Sequence, residues 1–157
     1  MTMKSTRPVR ALVAALLLTF ATPAAASGDR GTAEEAQAMV ARAIAHYDEM
    51  GAEAALARFN ADPAPEFLDR DLYIFVYGPE DAIVAHGVDP SLLGRTYSSF
   101  TDVDGKRFGE EMRRTASADG TWVDYKWINP ATGEVEQKSS WLVLHDGHLF
   151  GVSIYKP

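Results

Sequence analysis

Asp146-Gly147 constrains this chain more than any other pair of residues. A two-residue Asp-Gly link puts its central residues at positive φ and joins antiparallel strands whose twist it matches. It stands between the extended runs 135–145 and 148–155. Upstream, Asn129-Pro130-Ala131-Thr132-Gly133 is a second turn, and it joins residues 121–127 to the first of those runs. The end of the chain therefore reads as a three-stranded antiparallel meander.

The rest of the chain supplies what such a sheet needs on its faces. Thr32-x-x-Glu35 is a capping-box pattern. Ala36, Met39, Val40, Ala43, Ile44 and Tyr47 then recur at spacings of three and four, which predicts an amphipathic helix up to Gly51. Residues 53–60 resume the pattern, with Leu56 and Phe59 pointing inward, until Asp62-Pro63-Ala64-Pro65 stops it. The β-branched and aromatic run 72–77 is a strand, Gly78-Pro79-Glu80-Asp81 turns, and residues 82–86 return as a second strand. A helical turn at 89–94 and a short helix over 106–118, with Phe108 and Met112 on one side, form an insert before the meander. Five antiparallel strands with helices laid on them make an α+β domain.

The first residues do not fit that domain. Lys4, Arg7 and Arg10 precede the apolar run 11–20, and Ala24-x-Ala26 follows as a small-residue cleavage site. This is the pattern of a secretory signal peptide, residues 1–26, and the run is too short for a membrane span of about 20 apolar residues. Residues 27–32 are expected to be a flexible leader. Cleavage removes three positive charges from a chain whose net charge is already -7, leaving an acidic exported protein, periplasmic or secreted. A pI near 5.0 speaks against nucleic-acid binding. The absence of cysteine rules out disulfides, thiolate metal sites, a cysteine nucleophile and a lipid anchor.

Strand alternation marks where chemistry would sit. In the run 72–77, Tyr73, Phe75 and Tyr77 share one face and Leu72, Ile74 and Val76 the other. The aliphatic face suits the N-terminal helix, which leaves the tyrosine face to be covered by the insert. In 121–127, Trp122, Asp124 and Lys126 share one face, and Val123, Tyr125 and Trp127 the other. An aromatic sheet face beneath an insert is either a small-molecule pocket or a second small core. Lys138, beside Ser139 and Ser140, is either an anchor for a carboxylate or a solvated edge lysine. Of the four histidines, His86 faces the insert, whereas His145 and His148 straddle the Asp-Gly turn where polar residues are ordinary. Asp102-x-Asp104-Gly105 lacks the downstream glutamate of a calcium loop. No nucleophile elbow, phosphate-cradling loop or His-Glu-x-x-His pattern is present, so neither an enzyme nor a cofactor is expected.

Several segments, in order, resemble one family. They are residues 51–60, 71–76, Ala85-His86, 90–94, 104–106, 122–130, 138–141 and 151–155. Together they cover nearly all of residues 33–157 and are similar to the single Cache domain of the second type, an extracytoplasmic sensor module of bacterial chemoreceptors and sensor kinases. The resemblance implies a long N-terminal helix against a PAS-like antiparallel sheet. It also implies a small-molecule ligand, an organic acid or amino-acid-like compound, held between sheet and insert. On that basis Tyr73, Phe75, His86, Trp122, Tyr125, Trp127, Lys138 and Tyr155 are the expected ligand-binding residues, with Lys138 as the cation for a ligand carboxylate. Family receptors continue into a transmembrane helix and a signalling domain, whereas this sequence stops at Pro157. The expected protein is thus a soluble sensing module, or alternatively an accessory subunit of a membrane sensor kinase, chemoreceptor or transporter.

Overall fold

The computed structural model describes residues 30–156. The expected signal peptide and the first residues of the expected leader lie outside them. Helix α1 spans Ala33–Met50 and opens on the expected capping box. The Glu35 amide donates to Thr32 Oγ1 at 3.2 Å, and the Thr32 amide donates to Glu35 Oε2 at 2.9 Å. Gly51, at φ 81°, breaks the helix, and α2 follows over Ala52–Phe59. Strand β1 is the two-residue Leu68–Asp69, β2 is Leu72–Tyr77 and β3 is Ile83–His86. Two 3₁₀ turns, Pro90–Leu92 and Tyr97–Ser99, lead to α3, Phe108–Thr115. The chain ends in β4, Thr121–Ile128, β5, Val135–His145, and β6, His148–Tyr155.

The sheet is antiparallel, in the order β1-β2-β6-β5-β4, with β3 also pairing with β2. It has six strands where five were expected. The added strand is β1, whose Leu68 and Asp69 pair with Tyr73 and Leu72; two residues are too short to show a period of their own. The Asp-Gly turn sets the meander's register as expected: His145 pairs with His148, and Asp146 and Gly147 stand at φ 46° and 72°. The chain is an α+β domain with helices on both faces of one sheet.

The two faces are covered differently. Leu72, Ile74, Val76, Phe150 and Val152 pack with Ala36, Met39, Val40, Ala43 and Tyr47 of α1 and with Phe59 of α2. On the other face Phe75, Tyr77, Val123, Tyr125, Leu142 and Leu149 meet Phe100, Phe108 and Met112 of the insert. The insert holds to the sheet through its loop as well as α3. Asp102 Oδ1 accepts from the amides of Asp104 and Lys106, and its Oδ2 accepts from the Lys126 amide of β4 at 3.1 Å. That carboxylate organises the loop, which is why α3 starts at Phe108 rather than 106. Gly109 lets α3 approach closely, since a Cβ there would stand 2.1 Å from the Tyr97 carbonyl oxygen.

Candidate functional site

A cavity of about 60 Å³ lies between the aromatic face of the sheet and the insert. Strand alternation fills its floor. Tyr73, Phe75 and Tyr77 come from β2, Tyr125 and Trp127 from β4, Lys138 from β5 and Ser153 from β6. Phe100, Phe108 and Met112 form its roof. The tight stacking of Phe108 on Tyr125, with centroids 4.0 Å apart, and of Tyr97 on Tyr77, at 3.9 Å, presses the insert onto the sheet. Gly151 supplies clearance: a Cβ there would lie 2.2 Å from Phe75 Cζ, so the bare backbone of β6 lets that ring lie flat over it.

Lys138 is the electrostatic centre. It is 2% exposed and makes no ion pair among the described residues. Its ammonium donates to Tyr73 Oη at 2.9 Å and to Tyr155 Oη at 3.2 Å, and it stands 4.5 Å from the Tyr155 ring centroid. Pairing of Lys138 with Tyr155 across β5 and β6 fixes this contact. An ammonium carries three protons, so one remains beyond those two bonds. Tyr155 donates its own proton to the Ile128 carbonyl at 2.9 Å. Burial pushes the Tyr73 phenol up to about 12, so it stays protonated at neutral pH. Tyr73 accepts from Lys138, and no described group accepts the Tyr73 proton. Lys138 and Tyr73 together thus hold two donors in a site whose lining contains no carboxylate.

His86 closes one side of the cavity, its ring 5.1 Å from that of Tyr73. Burial pushes its pKa down to about 4; nearby Asp89 opposes the shift and Lys138 adds to it. The ring is therefore neutral at pH 7. Its Nδ1 accepts from the Asp89 amide at 3.0 Å, which leaves the proton on Nε2.

Of the eight residues expected at a ligand site, Tyr73, Phe75, His86, Tyr125, Trp127 and Lys138 line this cavity. Tyr155 stands behind it and touches Lys138. Trp122 does not join them. As the alternation of β4 requires, it faces the α1 side of the sheet, where its ring meets Trp141 at 5.4 Å. Tyr77, Ile83, Leu92, Phe100, Phe108, Met112 and Ser153 complete the lining. Ser153 shares a face with Tyr155 at a spacing of two, a signal present in the sequence. The position of Phe100, by contrast, depends on how the insert folds back. His145 and His148 lie away from the site, at the tip of the β5–β6 hairpin. There His145 Nε2 meets Asp48 Oδ1 at 2.7 Å, and Tyr47 donates to Asp146 Oδ2 at 3.0 Å.

The model of the family described as single Cache domain 2 matches residues 10–144. The sensor histidine kinase MctS of Rhizobium johnstonii is 31% identical over 102 residues, which are 64% of this chain and 22% of that protein. The chain thus spans about a fifth of the length of that kinase. Three solved structures share the fold. A methyl-accepting chemotaxis protein of Vibrio parahaemolyticus superposes with a TM-score of 0.63 at 17% identity, over 78% of this chain and 86% of that one. A Cache chemosensory domain solved for its recognition of carboxylic acids gives 0.60 at 20% identity, over 79% and 92%. The periplasmic sensor domain of a chemotaxis protein gives 0.56 at 26% identity, over 79% and 90%.

Proposed function

The chain belongs to the single Cache domain 2 family, and on that premise we propose that it senses a small monocarboxylate, held in the aromatic cavity by Lys138 and Tyr73. The observation that carries this reading is the buried, ion-pair-free ammonium of Lys138. A cation taken out of water costs several kcal/mol unless an anion compensates it. Two phenol oxygens and two aromatic faces offset part of that cost. A ligand carboxylate would supply the missing charge, one oxygen accepting from Lys138 and the other from the Tyr73 hydroxyl. Neutral His86, with its proton on Nε2, adds a third donor without adding charge.

Room and charge narrow the class. The cavity, at about 60 Å³, is small. That suits acids of two or three carbons. A second carboxylate would find no second cation in the lining, and a ligand ammonium would find no anion. One of the structures sharing the fold recognises carboxylic acids, in keeping with this choice. We place the protein outside the cytoplasm, as the sensing part of a kinase- or chemoreceptor-type system, on the strength of its kinase relative and the pattern of residues 1–26. Among the described residues no helix is long and apolar enough to cross a membrane.

Isothermal titration of the purified protein with propionate and with its neutral isostere propionamide tests the reading. Propionate is expected to bind and propionamide to bind at least about a hundredfold more weakly. Equal affinity for the two, or no binding of any short carboxylate, overturns it.

A further inference from the structure

One wall of the cavity is built differently from the rest. Most of the lining is buried, Lys138 and Met112 at 2% exposure and Phe100 at 5% among them. The half-buried lining residues are Tyr73, Trp127 and Leu92. Tyr73 and Trp127 belong to β2 and β4 and are held by the sheet. Leu92 is not. It sits in residues 88–93, the exposed segment that follows β3 and contains the 3₁₀ turn Pro90–Leu92.

That segment is a strap fixed at its two ends. On one side the Gly87 amide donates to the Ile74 carbonyl of β2 at 2.9 Å, and a Cβ at Gly87 would stand 3.3 Å from that oxygen. On the other side the Gly94 amide donates to the Ile83 carbonyl of β3 at 2.8 Å. Between these ends, one hydrogen bond among the described residues ties the strap to the sheet, from the Asp89 amide to His86 Nδ1 at 3.0 Å. Its other bonds hold its own shape. Asp89 Oδ1 accepts from the Ser91 amide at 3.0 Å and from the Ser91 hydroxyl at 2.6 Å, and the Leu92 and Leu93 amides donate to the carbonyls of Asp89 and Pro90. Val88 and Leu93 are exposed, at 49% and 39%. Gly94, at φ 82° with nothing within 4 Å of where a Cβ would be, is free to pivot. Segments with few buried apolar contacts and exposed backbone are the ones that open locally.

What lies on either side gives that opening a use. An outer cleft of about 310 Å³, bordered by Asn60, Leu68, Val88 and Pro90, reaches His86 from outside. His86 borders the inner cavity as well. The strap and the His86 ring thus separate the cleft from the buried Lys138 ammonium. The roof is the firmer wall, since Phe108 stacks on Tyr125 and Asp102 ties the insert loop to β4.

We infer that residues 88–93 are the door of the cavity: the strap swings about Gly87 and Gly94, Leu92 leaves the cavity, and a ligand passes from the outer cleft beside His86 to Lys138. The inference rests on the reading of this cavity as the ligand site and adds the route into it.

The test has two arms. The first follows amide exchange by NMR in the ligand-free protein. The Asp89 amide, bonded to the His86 ring alone, is expected to be at least about tenfold less protected than the Gly87 and Gly94 amides, which bond to the sheet. Equal protection of the three overturns the door. The second arm follows propionate binding by stopped-flow tryptophan fluorescence, with Trp127 in the lining as reporter, in the wild type and in Leu92→Ala. A door that has lost its plug opens more readily, so the association rate constant is expected to rise at least about threefold, whereas loss of a simple ligand contact acts on dissociation. Faster dissociation with unchanged association, or no change in either, overturns the inference. The exchange arm needs neither ligand nor variant, so it decides the door if propionate does not bind, an outcome that defeats the carboxylate reading alone.

Discussion

Lys138 and Trp122 lie on opposite faces of one sheet. Lys138 lies on a central strand flanked by β4 and β6, where its ammonium meets two tyrosines and no acid. Trp122 belongs to the face of β4 that looks toward α1. Replacing each therefore separates binding from stability. Lys138→Met removes a buried charge that has no ionic partner among the described residues and keeps most of the side-chain volume. It is expected to abolish propionate binding, by at least about a hundredfold in titration calorimetry, while the melting temperature stays level or rises. Unchanged affinity in that variant removes Lys138 from the site. Trp122→Ala should do the reverse, lowering stability in a urea melt by about 2–4 kcal/mol with little change in affinity. Tyr73→Phe keeps the ring but loses the hydroxyl that both accepts from Lys138 and is free to donate. An affinity loss of about tenfold is the expected result, read in the same titration. The tyrosine face of β2 was legible from alternation. Whether Lys138 was a buried anchor or a solvated edge lysine was not, because a single lysine has no period.

Among the elements, β6 and α3 show how glycine shapes the site from behind. Gly151 lies opposite Phe75 in the β2–β6 ladder, and its missing side chain is the space the Phe75 ring occupies. Gly151→Ala should drive that ring into the cavity, costing about 1–3 kcal/mol of stability and most of the ligand affinity. Paired urea melts and titrations check both effects, and full affinity with intact stability would show that the ring has another place to go. The capping box of α1 was readable as a pattern of two residues three apart, and it is present as expected. β1 was not readable. Its two residues form a strand only because β2 offers them a free edge next to β3. α3 begins two residues later than its pattern predicts for a similar reason: Asp102 binds the Lys106 amide and β4 together, so a distant strand decides where the loop ends.

For the molecule as a whole, the site and the stability are linked through protonation. His86 is buried neutral, with its pKa pushed from 6.5 down to about 4 by desolvation, while the unfolded chain titrates near the ordinary value. Between those values the unfolded state binds the extra proton. Stability attributable to His86 is therefore complete above pH 6.5 and is lost as pH falls toward 4, by up to about 3 kcal/mol. Thermal melts from pH 7.5 to 4.5 should show this decline, and His86→Gln should flatten it; a wild-type-like slope in that variant assigns the effect to other groups. The sequence alone determined the strand periods, the turns that make the meander antiparallel, the capped helix and which aromatic residues share a face. These are local properties, set by backbone geometry within a few residues. The tertiary structure decided which face meets which helix, how the insert folds back to roof the aromatic face, and that Lys138 is buried beside two phenols instead of an acid. Those outcomes depend on residues far apart in the chain coming together to exclude water, and no local pattern carries that information.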